Sequence, residues 1–347
     1  MRLLILYEEL APYFLHNIEK FADVYEIPVL IVSKSINPVA PFDFQTSSKH
    51  ITIIRREDYS LSQLVSISKE FQPTCIMQAG WIYPPYFDLL KALKVPCNVL
   101  LMDNQWHGNI RQYLGSIYFR WKYKSLFQKA FVPGEKQKQF ARHIGFGDKH
   151  IIKGFYCCDT AMFEKVFVER KRNGFRRHYT FLYVGRYAEE KNVEMLWQAF
   201  AEVCKEYPNQ WQLLCVGKGN IVPFQHPQIK HLGFIQPWQL PEIITQSDVF
   251  VLQSKFEPYG VVIHEMATAG LPIISSSVVG ANEYFVESDK NGYIFEFHNK
   301  YKFKEYLIKM MRQSDEEYVR MCEHSHQLSQ KITTDKWIKK IYDICRI

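Results

Sequence analysis

No stretch of about 20 consecutive apolar residues occurs in this chain, so no transmembrane helix is expected. No C-x-x-C pair occurs either. The eight cysteines (75, 97, 157, 158, 204, 215, 322 and 345) are scattered, most of them inside apolar runs. They read as small buried hydrophobes in a reducing cytosol, and the adjacent pair Cys157–Cys158 is not expected to form a structural disulfide. No metal-ligand spacing is present, which leaves no metal to expect. The opening segment MRLLILYEEL has one basic residue, a very short apolar run and acids immediately after it. It reads as a first buried strand, not as a signal peptide. The net charge of +7 is modest and no nucleic-acid module is recognisable, so nucleic acid is not an expected partner.

What is present suits two domains. A chain of 347 residues is too long for one compact core, and 47% apolar residues, with 21 Tyr and 25 Phe, fill two. The most informative stretch is SDVFVLQSKFEPYGVVIHEMATAGLPIISS (247–276). A strand at 249–254 runs into a turn marked by Pro258 and Gly260, then into an amphipathic helical segment. Glu257 precedes the helix start and Glu265 lies about a turn and a half inside it. Between them fall the amides of Tyr259, Gly260 and Val261. Unpaired N–H groups and the helix dipole favour an anion there, and glycine lets a phosphate approach the main chain. Two acids beside a phosphate repel it unless they face hydroxyls, so they read as sugar and ribose contacts.

A second element of the same kind lies upstream in YTFLYVGRYAEEKNVEMLWQAFAEV (179–203): strand, glycine turn at Gly185, helix. Arg186 and Lys191 sit in that turn. A guanidinium grips two phosphate oxygens in a planar fork and an ammonium supplies a mobile charge, so together they suit a departing diphosphate. A third strand, WQLLCVGKG (211–219), ends in Gly217 and Gly219, and LGFI follows at 232–235. Strands alternating with helices, with glycine at the strand ends, predict a doubly wound parallel sheet with its ligand at the carboxyl ends of the strands.

These motifs, with VGANEYFVESDKNGYIF (279–295), resemble the family 4 glycosyltransferases of the GT-B fold, most strongly over 180–295. The resemblance implies α/β architecture with two Rossmann-like domains facing a central cleft. With the boundary near 165–178 that the polar, basic stretch VERKRNGFRRH (168–178) suggests, the resemblance gives expected bounds of 1–165 for the acceptor domain, 166–330 for the nucleotide-sugar domain and a helix at 331–347 returning to the first. It implies a retaining transfer of a hexose from a nucleotide-diphosphate sugar to a glycan or lipid-linked acceptor, in lipopolysaccharide or capsule assembly. Arg186 and Lys191 would hold the diphosphate. Glu257 and the amides of Tyr259 to Val261 would face sugar and phosphate, and Glu265 the ribose, with Gly185 and Gly217 on the same rim. No Asp-x-Asp occurs, the pairing by which many other glycosyltransferases hold a metal, so catalysis is expected to be metal-independent and without a cofactor. An epimerase or a phosphorylase on the same plan, or a donor-binding assembly subunit without turnover, are the alternatives.

The amino-terminal half alternates too, with strands at 2–7, 27–33, 51–54, 74–78 and 97–102 and helices at about 13–23, 61–70 and 84–93. Acceptor-side candidates follow the strand ends: Glu8, Glu9 and Tyr13, then Gly80 and Trp81, then Asp103, Asn104, Trp106 and His107. Family members often carry a histidine directly after the last of these strands. Here Asp103 takes that place and His107 stands four positions on.

Up to residue 165 there are 20 basic and 15 acidic residues, against 23 and 21 beyond it. The excess concentrates in 111–142, where Arg111, Arg120, Lys122, Lys124, Lys129, Lys136, Lys138 and Arg142 face one acid, Glu135, with aromatics interleaved. Basic residues and aromatics on a helix suit an anionic membrane surface. An internal helix with solvated lysines fits the same pattern. The expected location is the cytoplasm, at the inner membrane face.

Overall fold

The computed structural model describes residues 1–35, 41–42, 46–81 and 83–346. The chain forms two compact units, Met1–Cys157 with Thr334–Ile347, and Cys158–Thr333.

The first unit is a parallel sheet of β1 (Leu3–Tyr7), β2 (Val29–Ser33), β3 (Ile51–Arg55), β4 (Cys75–Ala79), β5 (Cys97–Leu101), β6 (Lys129–Val132) and β7 (Ile151–Lys153). Its helices are α1 (Pro12–Tyr25), α2 (Leu61–Phe71), α3 (Pro85–Leu93), α4 (Ile110–Lys122) and α5 (Glu135–His143). The spatial order is β3-β2-β1-β4-β5-β6-β7. Every residue of β1 and β2 is buried, as a sheet covered on both faces requires. The first five strands fall within two residues of the pattern read from the sequence. The stretch 111–142 differs from the expected helix. It contains most of α4, then the strand β6, then all but the last residue of α5, because Ala130, Phe131 and Val132 are buried in the sheet.

The second unit opens with α6 (Thr160–Arg172). There follow β8 (Thr180–Val184), α7 (Val193–Glu206), β9 (Gln212–Val216), β10 (Ile229–Gly233), α8 (Leu240–Thr245), β11 (Val249–Leu252) and α9 (Val261–Thr268). It closes with β12 (Ile273–Ser276), α10 (Asn282–Phe285), β13 (Gly292–Phe295), α11 (Lys300–Met311) and α12 (Asp315–Ser329). Its six parallel strands run β10-β9-β8-β11-β12-β13. The winding therefore reverses between β8 and β11, the place where such sheets bind ligands.

The division falls at Cys157/Cys158, ahead of the polar stretch 168–178 that marks a boundary in the sequence. Much of that stretch is α6, and Arg170 is a buried anchor. Its guanidinium donates to Ser247 O, to Ile244 O at 3.2 Å and to the Tyr318 hydroxyl at 2.9 Å. Part of the basic composition there is thus a buried cation held by carbonyls and a hydroxyl. The last helix, α13 (Thr334–Cys345), belongs with the first unit. Trp337 is buried, donates from Nε1 to Phe155 O at 2.7 Å and meets Phe14 edge-on, while Tyr342 stacks on Tyr25.

All eight cysteines are free and buried. No described helix is long and apolar enough to cross a membrane. Replacing Trp337 by alanine removes a large buried ring and leaves the Phe155 carbonyl unpaired. The expected cost is about 3–5 kcal/mol, read as a lower urea midpoint in unfolding followed by circular dichroism.

Candidate functional site

The β8–α7 and β11–α9 connections leave the sheet on either side of the winding reversal, and the main chain ties them together. Glu190 O accepts from the amides of Lys255 (2.8 Å) and Phe256 (3.2 Å). Gln253 Nε2 donates to Lys191 O at 2.8 Å, and Asn192 Nδ2 donates to Gln253 O at 3.3 Å. Asn192 takes a left-handed conformation, φ 56°, to end the short helical turn of Glu189–Lys191 and start α7. Loops about 60 residues apart in sequence thereby form one rim.

That rim brings Lys191 to Glu257. The ammonium and carboxylate are paired, and their side chains are only 15% and 12% exposed. Arg186 turns instead to Glu190, at 2.9 Å, in a pair that is largely open to solvent. Each expected phosphate-holding cation thus has an acid partner, and Glu190 is one that the sequence reading passed over. A lone glutamate in an ordinary charged helix start carries no local signal.

The β11–α9 loop is held from a third side by the residues after β12. The Gly280 amide donates to Glu257 O at 3.3 Å and the Ala281 amide to Tyr259 O at 2.8 Å. Tyr259 is buried. Gly260 occupies the cap of α9 with φ 85°, and a Cβ there would stand 3.1 Å from Glu257 Cγ and from Val279 Cγ1. No side chain caps α9 and its first turn carries no acid. Its leading amides, Val261 among them, therefore present positive potential unopposed from within the helix.

Gly185 and Gly217 stand at the neighbouring ends of β8 and β9. The Gly185 amide donates to Val216 O (2.9 Å) and the Gly217 amide to Gly233 O (2.7 Å). At Gly217, φ is 135° and a Cβ would lie 1.9 Å from Gly185 O, so only glycine lets the ends of β8 and β9 pass this closely.

Glu265 is the fifth residue of α9 and half-buried. Burial pushes its carboxyl up to about 7, and the like charge of Asp159 adds to that. Asp159 is fixed nearby as the cap of α6, accepting from the Met162 amide at 3.0 Å. The neighbouring His264 is buried against Phe285. Its Nδ1 accepts from the Cys158 amide at 3.2 Å, and desolvation lowers its pKa to about 4. It is a neutral structural link between the starts of α6 and α9. An acid poised near neutrality beside an unopposed helix start is the kind of perturbed group that marks functional sites.

In the first unit the acceptor-side candidates are spread out. Glu9 is exposed beyond β1. Glu8 pairs with Arg56 at 2.6 Å, and the Arg56 guanidinium lies 4.0 Å over the Tyr83 ring. Asp103 accepts from the Tyr156 hydroxyl at 2.9 Å, above buried aromatics that include Tyr7. His107 is exposed, its amide donating to Gln112 Oε1 at 2.7 Å. Asp103 and His107 thus have different surroundings.

The family model for glycosyl transferases group 1 matches residues 167–331. Spore coat protein SA of Bacillus subtilis is 34% identical over 150 residues, 39% of this chain and 40% of that protein. Alpha-monoglucosyldiacylglycerol synthase of Acholeplasma laidlawii is 31% identical over 156 residues, 42% of this chain and 38% of the synthase. The match therefore spans well under two thirds of the length of either relative. Anabaena HepE, solved in complex with UDP and glucose, superposes with a TM-score of 0.72 over 99% of this chain and 98% of its own, at 13% identity. That likeness shows the fold, two parallel α/β sheets of the GT-B architecture.

The elevated Glu265 carboxyl has a stability consequence of definite sign. The unfolded chain ionises this group near its ordinary 4.5 and the folded chain near 7. The folded state thus holds the extra proton between those values, and stability falls as pH rises across them. Glu265→Gln is expected to melt several degrees higher than the parent at pH 8 and at nearly the same temperature at pH 4.5, measured by scanning calorimetry. Parallel curves for the two proteins would contradict the assignment.

Proposed function

From the match of residues 167–331 to the family model for glycosyl transferases group 1, we propose a retaining hexosyltransferase using a nucleotide-diphosphate sugar. The observation that carries the reading is the Lys191–Glu257 pair held beside the uncapped start of α9 at the winding reversal. An incoming diphosphate meets the α9 amides and draws Lys191 and Arg186 from their acid partners. Glu257 is then released toward the sugar hydroxyls, and Glu265 accepts from the ribose.

The acceptor hydroxyl oxygen bonds to the anomeric carbon as the carbon–phosphate oxygen bond breaks. The departing phosphate takes the acceptor proton on the same face, which keeps the anomeric configuration. The side chains contribute position and charge stabilisation in place of a protein base. Lys191, Arg186 and the helix start can stabilise the diphosphate without an ion. Among the described residues no group of three or more His, Cys, Asp or Glu is arranged to hold a metal.

We assign the acceptor to a glycan or lipid-linked glycan at the inner membrane face, which puts the enzyme in the cytoplasm. A relative named as a synthase of a glucosylated diacylglycerol supports a lipid-bearing acceptor. Lipopolysaccharide or capsule assembly is the process suggested by resemblance to family members.

Lys191→Ala and Glu257→Ala are each expected to lower kcat by about two to three orders of magnitude with the far-ultraviolet dichroism unchanged. Near-parental turnover in either variant, assayed by release of nucleoside diphosphate, would defeat the reading. Rates with and without a chelator are expected to agree. Complete, metal-restorable loss on chelation would overturn the metal-independent mechanism.

A further inference from the structure

Helix α4 has two apolar faces, and the fold uses one. Phe119 and Ser116 are buried, with Phe119 against Trp81, Phe87 and Phe127. Asn109 caps the helix through the Gln112 amide at 2.9 Å, and Gln112 Nε2 donates to Gln105 O at 2.7 Å, so the helix is firmly seated. The opposite face carries Ile110, Tyr113, Leu114, Ile117, Tyr118 and Trp121, a continuous stripe at helical spacing. All six are exposed, Ile110 by 78%, Ile117 by 67% and Trp121 by 82%. A lone exposed apolar residue is ordinary, but six aligned on one helix mark an interaction site.

Charge selects the partner. Arg111 and Lys122 project along one edge of the stripe and Arg120 along the other, and α4 contains no acid. Lys122 reaches the Tyr118 hydroxyl at 2.6 Å, laying its stem along that edge. The nearby acids are engaged elsewhere, Asp88 with Lys91 and both Asp148 and Glu135 with Arg142. A second copy of the chain would set the same cations against one another across a two-fold axis, which is repulsive. Aliphatic and aromatic side chains along one face, with cationic borders, match the boundary of an anionic lipid bilayer, with the helix lying in the plane.

We infer that α4 is the membrane-docking element of this protein, seating its stripe among the acyl chains and its arginines and lysine among anionic headgroups. The choice of a membrane rests on the lipid-linked acceptor reading given above; the exposed stripe does not.

The test is sedimentation of the full chain with vesicles of phosphatidylglycerol and phosphatidylcholine in equal parts, against phosphatidylcholine alone. Binding is expected to the anionic vesicles at low salt and to weaken as salt rises. Ile117→Asp with Trp121→Asp is expected to abolish it, and Arg111→Gln with Lys122→Gln to weaken it about tenfold. Brominated acyl chains are expected to quench tryptophan emission in the parent and much less in Trp121→Phe. Equal binding of parent and Ile117→Asp/Trp121→Asp would overturn the inference. So would absence of binding at low salt, or an α4-dependent dimer in sedimentation that is indifferent to vesicles. Thermal stabilisation by nucleotide sugars without lipid separates the two readings. Its loss with vesicle binding intact would count against the glycosyltransferase alone, and its presence without vesicle binding would count against α4 alone.

Discussion

The site in the second unit depends on one constraint, the main-chain tie between the two loops that leave the sheet at its winding reversal. Glu190 O receives two amides from the β11–α9 loop, and Gln253 and Asn192 exchange side-chain bonds with the opposite backbone. These bonds satisfy polar groups that would otherwise be costly to bury. In doing so they set the height of Lys191 relative to Glu257. Without the tie, two long side chains would have to lose rotamer freedom to find one another, and a surface ion pair gains too little to enforce that. With it, the pair sits largely out of solvent, where removing either partner strands a charge.

A balanced charge set follows. Arg186 and Lys191 are matched by Glu190 and Glu257, while the start of α9 carries no acid of its own. A site with bare cations would hold any passing anion and release it slowly. One in which each cation already has an acid must be offered more negative charge than a single carboxylate, and a diphosphate supplies that. Glu265 extends the logic one turn deeper. Its burial, with the neighbouring Asp159 adding to it, holds its proton near neutrality, so the acid adds little negative charge until hydroxyl donors favour its ionised form.

Much of this was legible in the sequence because it is local. The strand–turn–helix pattern around Gly260 placed Glu257 before a helix and Glu265 inside it, and both stand there. Strands β1 to β5 were readable because each is a short apolar run bounded by polar turns. The readings that differed depend on contacts distant in sequence. At Gly217 the sequence showed a glycine at a strand end but not that its amide bonds Gly233 O or that its missing side chain makes room for Gly185. The run VERKRNGFRRH reads as a domain boundary because its charges dominate. The Arg170 charge is buried by carbonyls more than 70 residues away, which no window of sequence contains. Glu190 escaped for the same reason, since its importance lies in a carbonyl and a partner, not in its type.

Helix α4 marks the other limit of sequence reading. Composition alone announced a basic, aromatic stretch but could not say which aromatics the core would claim. The fold divides them: Phe119, Phe127 and Phe131 go inward, and Tyr113, Tyr118 and Trp121 stay out with three aliphatic residues. That division is costly for a protein facing only water, because every exposed aliphatic group forgoes the free energy of burial. Polar residues at Ile110, Leu114 and Ile117 would keep the helix and its seated face unchanged. A stripe that the fold leaves largely uncovered, lined by cations with no acid partner among the described residues, is explained by what it meets outside the molecule.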